Sequence, residues 1–217
     1  MINIVKEIEA VQRGVGSGRI AAGEARVIRL TRTYDAGIDD VWAALTTPER
    51  ISRWFLPLSG DLRLGGRYQF EGQAGGSIVA CDRPNRLLVT WVYPPSEDES
   101  GASEVEIRLT PARDDATTLE LIHTAAVPDE MWDTFGPGAV GVGWEQGALG
   151  LALYLRTGST VGDPEAWQLS EEGRAYAAQS SAGWGAANLA AGADADVVER
   201  NIAATTAFYT GEQAPGG

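Results

Sequence analysis

His123 is the only histidine in the chain, and imidazole is the side chain best suited to moving a proton near neutral pH. It ends the run Leu119-Glu-Leu-Ile-His123, where period-two alternation puts it on one face with Leu119 and Leu121. If that face lines a cavity, His123 can hydrogen-bond a ligand or act as a general base; otherwise it is a satisfied histidine at a strand end. No second catalytic group is placed with it, and no G-x-S-x-G elbow occurs. Glu145 is the one acid in the middle of a long apolar stretch. It is either an acid or polar anchor facing a cavity, or a side chain facing solvent or a neighbouring segment. Gly136-Pro-Gly-Ala-Val-Gly141 matches G-x-G-x-x-G. Its context does not fit dinucleotide binding, because no parallel strand precedes it and Pro137 removes an amide. A glycine hinge onto a helix is the simpler reading.

Aromatic residues are the second chemical signal. Trp54, Tyr68, Phe70, Trp91, Tyr93, Trp132 and Trp144 exceed what a plain core requires. Tyr and Trp combine an apolar body with one polar handle, which suits an amphipathic pocket. Met131, Trp132 and Phe135 are candidates for a lid or for an anchored loop. Arg67 and Arg86 have surface ion pairing as their default role and an acidic ligand as the alternative.

Composition excludes several classes. With 30 acidic and 17 basic residues the net charge is −13, which repels nucleic acid and anionic membrane surfaces. One histidine, one cysteine and scattered carboxylates supply no zinc-type ligand set. Neither a metal nor a cofactor is predicted. Cys81 rules out an internal disulfide and is expected to be a small buried side chain. The opening MINIVKEIEAVQR lacks the pattern of a signal peptide, so a cytoplasmic protein is expected.

The elements that must position these residues follow from periodicity. Gly138–Thr157 reads as one long helix, apolar on most sides, with Val140, Trp144, Ala148 and Leu151 on one face. That face is predicted to meet a sheet and any cavity. Val142, Leu149 and Leu153 are predicted to meet helices after Asp163. Ile4, Ile8 and Val11 suggest a short helix, and Gly14–Gly18 a flexible joint. Strands are predicted at Ala25–Tyr34, Asp61–Glu71 (bent at Gly65-Gly66), Gly75–Asp82, Arg86–Tyr93, Ser103–Thr110 and Thr117–Thr124. Short helices are expected at Ile38–Leu45 and after Thr47-Pro48. Beyond Gly158, one helix is expected to carry Ala166, Leu169, Gly173 and Tyr176. A glycine-broken stretch follows around Trp184, then a helix at Ala195–Tyr209, and Gly211–Gly217 is expected to fray. The pattern yields a curved six-stranded antiparallel sheet wrapped round the long helix, an α+β class.

Several motifs within Val27–Arg156 carry a family resemblance. They are Arg32-Thr-Tyr34-Asp35-Ala36, Val41-Trp42-Ala43-Ala44-Leu45-Thr46, Pro48-Glu49-Arg50 through Trp54-Phe55, Leu64-Gly65-Gly66-Arg67-Tyr68 and Cys81-Asp82-Arg83-Pro84. The run from Gly143-Trp144 to Tyr154-Leu155 completes the set. This stretch resembles the START-like, polyketide-cyclase-like (SRPBCC) superfamily, in the branch of the activator of heat shock protein 90 ATPase homologues. The resemblance implies a helix-grip fold and a cavity between sheet and long helix, often used for apolar small molecules. It covers a START-like domain at 25–157, leaving an N-terminal helical extension at 1–24 and a C-terminal one at 158–217.

A small apolar ligand is therefore the expected partner. Its predicted contacts are Trp54, Tyr68, Phe70, Trp91, Tyr93, His123, Trp132, Trp144, Ala148 and Leu151. A cyclase- or hydrolase-like enzyme and a chaperone-like interaction module are the alternatives, and a homodimer is compatible with either.

Overall fold

The fold is seen in a computed structural model that describes residues 2–113 and 115–212. Helix α1 (Ile4–Glu9) is capped by Asn3, whose side chain accepts from the Lys6 amide. It leads directly into strand β1 (Val11–Ile20), which pairs along its whole length with β2 (Gly23–Tyr34), from Val11 opposite Arg32 to Ile20 opposite Gly23. Residues 14–18 are thus the middle of a strand, not a joint, and most of the segment before residue 25 is sheet rather than a helical extension. Gly14, Gly16 and Gly18 alternate along it, which is strand periodicity, and cross-strand bonds supply the order that the composition lacks.

From β2 the chain crosses to the far edge of the sheet through α2 (Ile38–Thr46) and α3 (Pro48–Ile51), the latter with proline in its first turn. It then returns strand by strand: β3 (Leu58–Gly60), β4 (Arg67–Phe70), β5 (Gly75–Asp82), β6 (Arg86–Trp91), β7 (Ser103–Pro111) and β8 (Thr117–Ala125). The order is β1-β2-β8-β7-β6-β5-β4-β3, with every pairing antiparallel. Eight strands replace the predicted six. One addition is β1. The other arises because Gly65-Gly66 is no bend within a strand: Gly65, with φ +78, helps to reverse the chain between β3 and β4. A register shift between Ile78 and Ala80 marks a bulge in β5, of the kind that bends a sheet.

After α4 (Asp129–Phe135) comes α5 (Gly138–Thr157), as the periodicity predicts. After the short α6 (Pro164–Gln168), its cover on the side away from the sheet is supplied by α7 (Glu171–Ala190) and α8 (Ala195–Thr210). The expected single helix through Leu169 is two helices, because Ser170 caps α7 afresh and leaves Leu169 exposed. Conversely, the glycine-rich stretch at Trp184 is continuous helix. Glycine serves close approach there: a Cβ on Gly141 would collide with the Trp184 indole, and one on Gly185 with Ile202. Val142 and Leu149 are buried as expected, Leu153 is half-buried, and Val140 is 38% exposed rather than facing the sheet. The predicted frayed tail lies, from residue 213, outside the described residues.

Three ion pairs join the N-terminal segment to this body. Arg13 of β1 pairs with Glu145 of α5, and Glu7 of α1 pairs with Arg32 of β2 and with Arg156 at the end of α5. Glu145 is fully buried, so among the two sequence readings of this acid the structure selects the packed one, facing a neighbouring strand.

Candidate ligand cavity

Between α5 and the concave face of the sheet lies a cavity of about 300 Å³, at the lower end of roughly 300–1,000 Å³ for small-molecule sites. The helix contributes Trp144, Gly147, Ala148 and Leu151, at the spacing of one helical face. Leu30, Val105, Ile107, Leu119 and Leu121 face them from β2, β7 and β8. Trp42, Trp54, Phe55 and Leu58 close one end, where α2 and α3 carry the chain across the sheet.

An aromatic wall runs along the cavity. The Phe55 and Phe70 rings meet edge to face at 5.0 Å, Phe70 lies 5.9 Å from Trp91, and Trp91 4.8 Å from Trp144. Four polar handles of the lining are used elsewhere. Trp54 Nε1 donates to the Ala44 carbonyl at 3.0 Å, Tyr68 Oη to the Thr90 carbonyl at 2.7 Å, and Tyr34 Oη to the Ala148 carbonyl at 3.3 Å. Trp144 Nε1 donates to His123 Nδ1 at 3.0 Å. Burial pushes both phenols, Tyr34 and Tyr68, well above their ordinary range. Neither can trade a proton near neutral pH. What the lumen receives from these residues is hydrocarbon and ring faces.

The exposed lining residues mark the mouth: Leu62, Arg63 and Cys81. Arg63 is the one charged lining side chain among the described residues, and it pairs with Asp61 at 2.8 Å on the outside. Cys81 is exposed rather than buried, because it sits on β5 beyond the bulge.

Of the predicted contacts, Trp54, Tyr68, Phe70, Trp91, Trp144, Ala148 and Leu151 line the cavity, whereas three others lie outside it. Tyr93, two residues past the end of β6, is 67% exposed. Trp132 lies under the Arg26 guanidinium, 5.0 Å from the ring centroid. Its helix α4 is tied to α8 by Asn201 Nδ2 donating to the Asp133 carbonyl and Thr205 Oγ1 to that of Phe135. The anchored loop, not the lid, is what Met131, Trp132 and Phe135 form. His123 sits behind Trp144, buried, with both ring nitrogens engaged. Desolvation pushes its pKa from 6.5 down to about 4, so it is neutral at physiological pH. Residues the sequence reading missed include Gly147, which helical spacing between Trp144 and Leu151 implies, and Tyr34, four residues on from Leu30 along β2. Leu62 belongs to the predicted strand Asp61–Glu71 but sits in the loop between β3 and β4.

The remaining polar candidates are structural. Arg67 pairs with Glu99 and Arg86 with Glu106. The G-x-G-x-x-G stretch packs against α7 and α8: a Cβ on Gly136 would lie 2.8 Å from Asn201 Oδ1, and one on Gly138 2.8 Å from Thr205 Oγ1. Among the described residues no cluster of three or more metal-ligating side chains occurs, and no helix is long and apolar enough to cross a membrane.

Residues 35–156, from the turn after β2 to the end of α5, match the family described as activator of Hsp90 ATPase homolog 1-like protein. The chain belongs to this family. CalU16 from Micromonospora echinospora, a crystal structure, is 39% identical with a TM-score of 0.66, over 82% of this chain and 98% of CalU16. DynU16, a protein in the dynemicin biosynthetic locus, is 26% identical with a TM-score of 0.50, over 62% of this chain and 48% of its own. The Aha1 dimer from Colwellia psychrerythraea, at 18% identity and a TM-score of 0.50, shares the fold over 61% of this chain and 97% of its own. No curated protein matches the sequence. Family membership settles the START-like, helix-grip architecture of the core. The likeness to CalU16 covers more of the chain than the family span does.

Proposed function

We propose that this protein binds a small, largely apolar molecule in the cavity between α5 and the sheet, acting in the cytoplasm as a binder rather than a catalyst. The observation that carries this reading is the outward turn of the wall's hydrogen-bonding groups. Those of Tyr34, Trp54, Tyr68 and Trp144 are consumed by a protein carbonyl or by His123, so these residues offer the cavity dispersion and aromatic contact. A cyclase- or hydrolase-like reaction needs a titratable pair at the lumen; no carboxylate or imidazole is among the described lining residues. A chaperone-like interaction module would fill this space with side chains and present its apolar surface outside.

The neutral fluorophore N-phenyl-1-naphthylamine tests the proposal. It should bind one to one, with quenching of tryptophan emission from Trp54, Trp91 and Trp144. Gly147→Leu is the control. A Cβ at Gly147 meets nothing within 4 Å, so leucine projects into the cavity while improving helix propensity by roughly 0.8–1.0 kcal/mol. The variant should fold at least as well as the parent and lose the probe. Equal binding by both proteins would place the probe elsewhere and refute the assignment.

A further inference from the structure

His123 and Ser103 form a polar relay that runs between two tryptophans of the cavity wall, Trp144 and Trp91. Ser103 Oγ lies 2.7 Å from the Trp91 carbonyl, which only accepts, so the serine proton goes there. His123 Nε2, 3.0 Å from that Oγ, must then be the donor. At the other end the Trp144 indole N–H only donates, so His123 Nδ1 must be the acceptor. Both ends demand the same tautomer, the neutral ring with its proton on Nε2. The relay runs in one direction: Trp144 N–H to imidazole, imidazole N–H to serine, serine O–H to the Trp91 carbonyl. It thus ties the Trp144 indole to the main chain of Trp91, and the rings of these two residues meet at 4.8 Å and 57° in the cavity wall.

We propose that His123 is a positioning residue for ligand recognition: as a neutral acceptor it holds the Trp144 indole against Trp91 and thereby sets the shape of the cavity where the two rings meet. The imidazole itself touches no ligand. It acts through Trp144, its own ring standing edge-on to the indole at 5.8 Å and 88°. Without the acceptor, the indole N–H is left behind the wall with no partner, and the ring must turn toward the lumen or the solvent to find one. A turned indole closes or reshapes the cavity there. Neutral His123 is thus built into the selectivity of the site, not into any chemistry there. This assignment rests on the cavity being the ligand site.

Two substitutions separate the acceptor from the bulk of the ring. Asparagine at 123 places its Oδ1 where Nδ1 stands and keeps the bond to Trp144; phenylalanine keeps the volume and removes the acceptor. The Trp144 indole N–H resonance in a ¹H–¹⁵N spectrum reads the bond directly. In the parent and in His123→Asn it should be shifted downfield and protected from exchange. In His123→Phe it should move upfield and exchange at least tenfold faster. The dissociation constant for N-phenyl-1-naphthylamine should rise tenfold or more in His123→Phe and stay within about threefold of the parent in His123→Asn. If His123→Phe does not fold, Ser103→Ala gives the second readout: it frees the opposite end of the relay, and the Trp144 resonance should lose part of its protection. An unchanged Trp144 resonance in His123→Phe, or in Ser103→Ala where that is the readout, would overturn the proposal. So would equal probe affinity across folded variants. Failure of the parent to bind the probe refutes the ligand-binding reading on its own, because the indole resonance still reports whether His123 holds Trp144.

Discussion

Replacing Arg13 by methionine tests the joint between the strand that lies before the family span and the helix inside it. Arg13 Nε donates to Glu145 Oε2 at 2.8 Å and its Nη2 pairs with the other carboxylate oxygen. The same guanidinium donates to the carbonyls of Val11 at 3.1 Å and Ile8 at 3.2 Å, tying α1 to β1. Glu145 has 0% side-chain exposure and Arg13 10%, so solvent does not compensate the acid when its partner goes. Removing one member of a buried pair costs about 3–5 kcal/mol, because the survivor is left buried and uncompensated. At roughly 2–4 °C per kcal/mol for a chain of this size, Tm should fall by about 6–20 °C. Urea unfolding at pH 7, followed by tryptophan fluorescence, measures the loss. The double variant Arg13→Met/Glu145→Leu removes both charges and should recover most of it, since an apolar pair of similar volume is commonly neutral or better. Gly183 supplies an independent route to the same joint: a Cβ there would stand 2.8 Å from Arg13 Cζ, so Gly183→Ala should displace the guanidinium and destabilise in the same direction. An Arg13→Met cost below about 1 kcal/mol, or a double variant as unstable as the single, would refute the view that burial makes this pair matter.

Stability should also depend on His123. Its folded pKa of about 4 lies below the ordinary 6.5, so the unfolded chain binds the proton first and stability falls as pH drops through that window, by about 3 kcal/mol in all. The parent's stability curve minus that of His123→Asn between pH 7 and 4 isolates this effect from the carboxylates Glu7 and Glu106, whose lowered pKa values add their own loss at still lower pH. Gly141→Ala drives a methyl group into the Trp184 indole and should cost roughly 1–3 kcal/mol in urea unfolding. Gly147→Ala, on the same helix but facing open space, should be neutral or stabilising. Ending the chain after Gly158 removes Tyr176 and Trp184, both 0% exposed, from the back of α5. The truncated protein should show a lower soluble yield and new binding of 1-anilinonaphthalene-8-sulfonate; a yield and Tm equal to the parent's would contradict that packing.

Much of the core fold was legible because its signals are local. A twenty-residue stretch that is apolar on most sides must be a covered helix, and α5 has the predicted bounds. Period two marked the strands from β5 to β8, and helical spacing put Trp144, Ala148 and Leu151 on the cavity side. Several of the errors share one cause, which is that glycine reports only backbone freedom. In β1 it was read as a joint, in α7 as a break and before β4 as a bend within a strand. Its actual use depended on what stood opposite: β2 across the ladder, Ile202 and Arg13 beside α7, and open turn geometry at Gly65.

The site divides along the same line. Residue types and periodicity gave a long apolar helix over a sheet with surplus aromatic residues, and the family resemblance implied a cavity between them. They could not determine which way each polar handle turns. That depends on carbonyls distant in sequence: Ala44 for Trp54, Thr90 for Tyr68, and Trp91 through Ser103 for His123. Nor could they show that Glu145 answers Arg13, 132 positions away. A hydrogen bond needs its partner within about 3 Å, and only the tertiary fold brings such partners together. Sequence therefore supplied most of the aromatic wall, and the three-dimensional structure decided that Tyr34, Trp54, Tyr68 and Trp144 turn their hydrogen bonds away from the cavity.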